Sequence, residues 1–143
     1  MIQNIIKGIA KAINQEFGDN YEIYSEDVSQ GLKEPCFSIV HLMTTNTQRL
    51  QPRYLRQYDF DIHFFPKDKI NTKRECHEVA ERLFLCLEYI FFLDNTLRGI
   101  KMRDEIVDGV LHFFITYELF VEREQEAVDN MKVLTTKVGA KHE

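Results

Sequence analysis

Ile2, Ile5, Ile6, Ile9, Ile13 and Phe17 fall at steps of three and four along the first seventeen residues. That spacing predicts one apolar stripe on a helix, with Gly18 as its left-handed C-terminal cap. Two short runs rich in β-branched and aromatic residues follow, "YEIYSEDV" and "CFSIVHLM", and both read as strands. A third, "YLRQYDFDIHFFP", alternates strictly: Tyr58, Phe60, Ile62 and Phe64 share one face, Gln57, Asp59, Asp61 and His63 the other. Pro66 ends it. Thr72 and Glu75 have the spacing of a capping box before "CHEVAERLFLCLEYIFF", where Cys76, Val79, Ala80, Leu83, Phe84, Leu87 and Ile90 keep helical periodicity. "LRGIKMRDEIV" and "VLHFFITYELFVER" then form a hairpin across Asp108-Gly109, a dipeptide suited to a type I′ turn. The predicted order is α-β-β-β-α-β-β, followed by a tail.

The last strand has an unusual second face. Leu111, Phe113, Ile115, Tyr117, Leu119 and Val121 make one apolar side. The other side carries Val110, Phe114 and Phe120 among His112, Thr116 and Glu118. Two helices are needed to cover the first side, so the second is expected to expose apolar surface, which commonly marks a protein contact. The strand, at about 3.3 Å per residue, spans roughly 40 Å, longer than a small core requires. Another subunit covering Val110, Phe114 and Phe120 explains both features; the alternative is a C-terminal segment folded back over them.

Residues 44–57, "TTNTQRLQPRYLRQ", hold no acidic residue and include Pro52, which predicts a loop through the middle of the stretch. Arg49, Arg53 and Arg56 make it locally basic, suited to acidic partner surfaces or phosphates. Ordinary solvated surface charge is the alternative. Residues 124–143 carry only a thin stripe of Val128, Met131, Leu134 and Val138, too little to hold a helix alone, and predict an arm, helical or flexible.

At 143 residues the chain suits one domain and a tail, and eleven Phe with six Tyr exclude disorder of the whole. A net charge of −5 argues against a protein that works by coating nucleic acid. The N-terminus, interrupted by Lys7 and Lys11, does not read as a signal peptide, and no run approaches the roughly 20 apolar residues of a membrane span. A soluble product made in the cytoplasm is expected. Cys36, Cys76 and Cys86 lack metal-ligand spacing and read as reduced core residues.

Candidate chemistry is sparse. If the third and last strands were neighbours in register, Asp59, Asp61, His63, His112 and Glu118 would come close enough to hold a divalent metal or form an acid-base pair. The alternative is a solvated sheet face. Cys76 and His77 diverge by about 100° on a helix. Cys86 lies in an apolar helix where burial would leave its thiol unreactive. Glycine-rich phosphate loops are missing. No catalytic residue, metal ligand or cofactor is assigned on these grounds.

"YSEDVSQGLKEPCFSI", "RYLRQYDFDIHFFP", the "ECHEVAERLF" helix and "LRGIKMRDEIVDGVLHFFITYELFV" together resemble the tail terminator family of phages and prophage-derived tail-like particles of Gram-positive bacteria. The most specific pieces are "QGLKEPCF" and "VDGVLHFF", and the likeness runs to about Glu124. The resemblance implies an α+β fold: a single mixed or antiparallel sheet of about five strands flanked by two helices in a domain of residues 1–123, with an arm at 124–143. It also implies a ring of six subunits that caps the tail tube, ends polymerisation and offers the surface joining tail to head. The implied partners are other copies of the chain, the tail tube protein, and sheath and head-connector proteins, with neither membrane nor sequence-specific nucleic acid; DNA can pass the lumen. On this view Val110, Phe114 and Phe120 belong to the subunit contact, and Arg49, Arg53 and Arg56 to a loop reaching the tube, a neighbour or the lumen. Another neck or head-completion protein is the nearest alternative. A metal-dependent hydrolase using Asp59, Asp61, His63 and His112 is the alternative of a different class.

Overall fold

A computed structural model describes residues 1–25, 31–50, 52–125 and 134–140. The elements are α1 (Ile2–Phe17), β1 (Glu22–Tyr24), β2 (Cys36–Gln48), β3 (Arg53–Phe65), α2 (Thr72–Cys86), β4 (Tyr89–Phe92), β5 (Asn95–Val107), β6 (Val110–Gln125) and β7 (Leu134–Ala140). They form an α+β fold with one mixed sheet in the order β1-β2-β3-β6-β5-β4. β1 is parallel to β2, the other neighbours along that path are antiparallel, and β7 pairs beside the distal part of β6. The expected count of about five strands is near this.

The two helices cover one face. The α1 stripe buries Ile5, Ile6, Ile9, Ile13 and Phe17, and α2 buries Cys76, Val79, Ala80 and Leu83. They meet Tyr58, Phe60, Ile62 and Phe64 of β3 and Leu111, Phe113, Ile115, Tyr117, Leu119 and Val121 of β6 in one core. The strict alternation of β3 and the unbroken apolar odd positions of β6 thus fix which side of the sheet each residue occupies. Tyr117, fully buried, donates its hydroxyl hydrogen to the Leu87 carbonyl at 2.6 Å, tying the centre of β6 to the end of α2. Tyr117→Phe should cost about 1–2 kcal/mol, seen as a lower urea midpoint with an unchanged slope.

The loop expected through the middle of residues 44–57 falls between Gln48 and Arg53, and β2 and β3 pair up to it as a long hairpin. β2 runs on past "CFSIVHLM" to Gln48; this second half is exposed, so polar Thr and Asn residues form it without burying an apolar face. Three local expectations are corrected. The helix expected to run through "LEYIFF" stops at Cys86, and Tyr89–Phe92 becomes edge strand β4, paired with Asn95–Arg98. Thr72 and Glu75 form no capping box. Asp68 Oδ1 instead accepts the Ile70 and Asn71 N–H groups, and Glu75 accepts those of Lys67 and Asp68. Gly18 has φ 87° but ψ −177°, so it ends α1 in a positive-φ conformation open to glycine and not in the left-handed helical one, its N–H bonded to the Asn14 carbonyl. Asp108 and Gly109 both have positive φ, 51° and 77°, the signs a type I′ turn needs.

Beyond Ser25, "YEIYSEDV" runs into residues outside the described set, as does the stripe at Val128 and Met131. Residues 134–140 are a strand.

Candidate functional site

The second face of the sheet is set by the β3–β6 register. Arg53 lies opposite Glu122, Leu55 opposite Phe120, Gln57 opposite Glu118, Asp59 opposite Thr116, Asp61 opposite Phe114, and His63 opposite His112. The strands are neighbours, as the candidate chemistry required. A polar ladder runs down the joint. Gln57 Nε2 donates to Glu118 Oε2 at 3.0 Å, and Thr116 Oγ1 donates to Asp59 Oδ1 at 2.6 Å.

Asp61, His63 and His112 meet at one end of the ladder. Asp61 Oδ2 lies 3.0 Å from both His63 Nε2 and His112 Nδ1, and the two rings pack with centroids 4.5 Å apart. Desolvation by burial pushes the Asp61 carboxyl up, but hydrogen bonds from His63 and His112 outweigh it and leave the group below its ordinary range. Asp59 and Glu118, the other members of the expected group, are spent on Thr116 and Gln57 and stand apart.

Val110, Phe114 and Phe120 sit on this face as expected, each partly exposed. Their surroundings hold more charge than the sequence indicated. The Arg103 guanidinium lies 3.9 Å from the centroid of Phe114, and that of Arg53 lies 4.3 Å from Phe120. His112 also stacks on Phe114, at an interplanar angle of 16°. Intrachain arginines therefore cover part of both rings while leaving the face open to a partner.

The three basic residues do not form one cluster. Arg49 is in the turn and Arg53 begins β3 over Phe120, whereas Arg56 projects from the opposite face and donates to Asn46 Oδ1 at 3.2 Å. Gln48, Arg49, Leu50, Arg53, Leu55 and Phe120 line a groove at the turn end of the β2–β3 hairpin.

A further surface was not singled out from the sequence. Tyr89, Phe91 and Leu93 are 55%, 64% and 65% exposed at the β4 edge, with the Lys11 ammonium 6.0 Å from the Phe91 ring centroid. The alternation in "YIFF", with Ile90 and Phe92 buried between them, was the available signal.

The cysteines are free. Burial pushes the thiols of Cys36 and Cys86 up to about 11 and about 12, and raises that of Cys76. Among the described residues no helix is long and apolar enough to cross a membrane.

A mixed sheet with both helices on one face and an aromatic, charge-studded second face defines a structural subunit with surfaces for partners. The phage tail terminator protein family matches residues 4–129, and the chain belongs to that family. It is a bacteriophage structural protein of the virion tail. Among curated proteins there is no match.

Proposed function

We propose that the chain forms a closed ring, six subunits around, that caps the finished tail tube, ends its polymerisation and presents the surface to which head-connector proteins join. Apolar residues left exposed or partly exposed at two separate places on the sheet carry this reading. Val110, Phe114 and Phe120 lie on the second face, and Tyr89, Phe91 and Leu93 on the β4 edge. A cyclic ring is built from a heterologous contact in which one patch meets a different patch on the next copy. The two patches supply such a pair. No catalytic role is assigned to the chain.

The β2–β3 hairpin is the second working part. All seven residues from Leu42 to Gln48 are exposed, so the hairpin extends beyond the cover of the helices. Arg49, Arg53 and Arg56 give its end a positive charge that reaches the tube, while the rest of the ring offers the next tube subunit no matching template. The arm, residues 124–143, begins at the end of β6 and includes β7. Partners beyond the ring are the tail tube protein, and sheath and head-connector proteins above it. In the host cytoplasm the subunits assemble; in the particle they occupy the neck.

Arg49→Glu/Arg53→Glu/Arg56→Glu should form rings yet fail to cap tubes, giving overlong tails by electron microscopy. Tails of normal length made with this variant would remove the hairpin from the capping contact.

A further inference from the structure

We propose that Asp61, His63 and His112 bind a transition-metal dication of the zinc class on the second face of the sheet. The inference stands apart from the ring: it rests on three side chains of a single subunit. One ligand atom from each residue lies within 4.8 Å of the others. Ligands held at about 2.1 Å from a tetrahedral ion lie about 3.4 Å apart. Asp61 Oδ2 lies 3.0 Å from His63 Nε2 and from His112 Nδ1, so the ligand atoms need to spread by only a few tenths of an ångström. An ion entering between them needs little movement of the backbone, because antiparallel β3 and β6 already hold His63 directly opposite His112.

A second observation points to a missing charge partner. Asp61 is 6% exposed, and both of its hydrogen bonds fall on Oδ2. Oδ1 is buried with no hydrogen-bond partner among the described residues. A buried carboxylate oxygen left unpaired is costly, and a bound ion is one of the recognised explanations. The two imidazoles satisfy Oδ2 alone. A dication on Oδ2 compensates the whole carboxylate.

The donor set selects the ion. Two imidazoles and one carboxylate suit zinc, cobalt and nickel, whereas magnesium and calcium require mostly oxygen. His63 and His112 side chains are 14% and 23% exposed, so an ion can enter from solvent and keep water at its remaining positions. Glu105, opposite His112 on β5 and exposed, adds negative charge beside the site. On binding, the ring protons that now point at Oδ2 move to the other nitrogens of the imidazoles, and the metal takes their places.

The test uses the full-length chain stripped with chelator and titrated with Co2+. Visible ligand-field bands should saturate at one equivalent, disappear on addition of Zn2+, and survive millimolar Mg2+. Zn2+ should also raise Tm. His63→Gln and His112→Gln should each weaken Zn2+ binding at least about tenfold, and the control His41→Gln/His77→Gln should bind as the unaltered chain does. Because the unaltered chain is tested first, a variant that folds poorly does not decide the matter. Lack of saturable Co2+ bands in that chain, or unchanged binding in both His63→Gln and His112→Gln, or loss of binding in the His41/His77 control, would each overturn the site.

Discussion

Phe114→Asp/Phe120→Asp should give a folded chain that no longer forms rings. Both rings are partly exposed, and Arg103 and Arg53, which now lie over them, remain beside the new carboxylates. Fold stability should therefore change modestly: each position loses a cation–π contact of about 0.5–2 kcal/mol and gains an ion pair of about 0–1 kcal/mol. The proposed contact between subunits is affected differently. A carboxylate pressed against Tyr89, Phe91 and Leu93 of the next copy is desolvated on a mainly apolar patch, where the Lys11 ammonium beside Phe91 offsets only part of the cost. Loss of a central aromatic anchor costs about 2 kcal/mol or more at each contact. In a closed ring that loss recurs at every interface. Native mass spectrometry should show single subunits with an unaltered circular dichroism spectrum. Tail ends examined by electron microscopy should lack the cap. Normal rings from this variant would sink the assignment of Val110, Phe114 and Phe120 to the subunit contact.

The parts of the fold legible in the sequence are those whose periodicity is unshared. Strict alternation over β3 and an unbroken apolar set of odd positions over β6 both point to strands, and they placed Phe60, Ile62, Phe113 and Tyr117 in the core correctly. β4 escaped because Leu83, Leu87 and Ile90 sit three and four residues apart, a spacing that suits a continuing helix equally well. What decides against the helix is distant in sequence. Tyr89–Phe92 gains a ladder to Asn95–Arg98, and the Gly99 N–H donates to the Glu88 carbonyl at 2.7 Å. The second half of β2 was hidden for the opposite reason. It is exposed throughout, so burial leaves no pattern, and Pro52 marks a turn without revealing how far the strand before it runs.

The candidate site shows the same division. The sequence put Asp59, Asp61 and His63 on one face of a strand and His112 and Glu118 on one face of another, because alternation alone settles that. It could not choose the register. A shift of two residues keeps every face and would put His63 opposite Val110 or Phe114. Only the registered structure unites Asp61 with both imidazoles and sends Asp59 to Thr116. The arginine cover of Phe114 and Phe120 was equally illegible, since Arg103 reaches its ring from β5 across the sheet.

Gly8→Ala should destabilise the fold although it improves the helix. In an open helical position the change gains about 1 kcal/mol. Here a Cβ would collide with the backbone carbonyl oxygen of Phe91 and touch Ile90 Cδ1 at 3.4 Å. A backbone atom cannot rotate away as a side chain can, so α1 and β4 must separate. Overpacking of that kind costs about 1–3 kcal/mol, which offsets or exceeds the helical gain, and Gly8→Val, with two more methyl groups and poorer helix propensity, should lie at the upper end. Denaturant midpoints should be highest for the unaltered chain, lower for Gly8→Ala and lowest for Gly8→Val. The displacement also moves the strand that presents Tyr89, Phe91 and Leu93, so ring formation should weaken in the same order, although Gly8 is itself buried. If Gly8→Val matched the unaltered chain in stability and assembly, α1 would not be seated on β4 through this close approach, and the placement of the β4 edge as a fixed half of the subunit contact would fail with it.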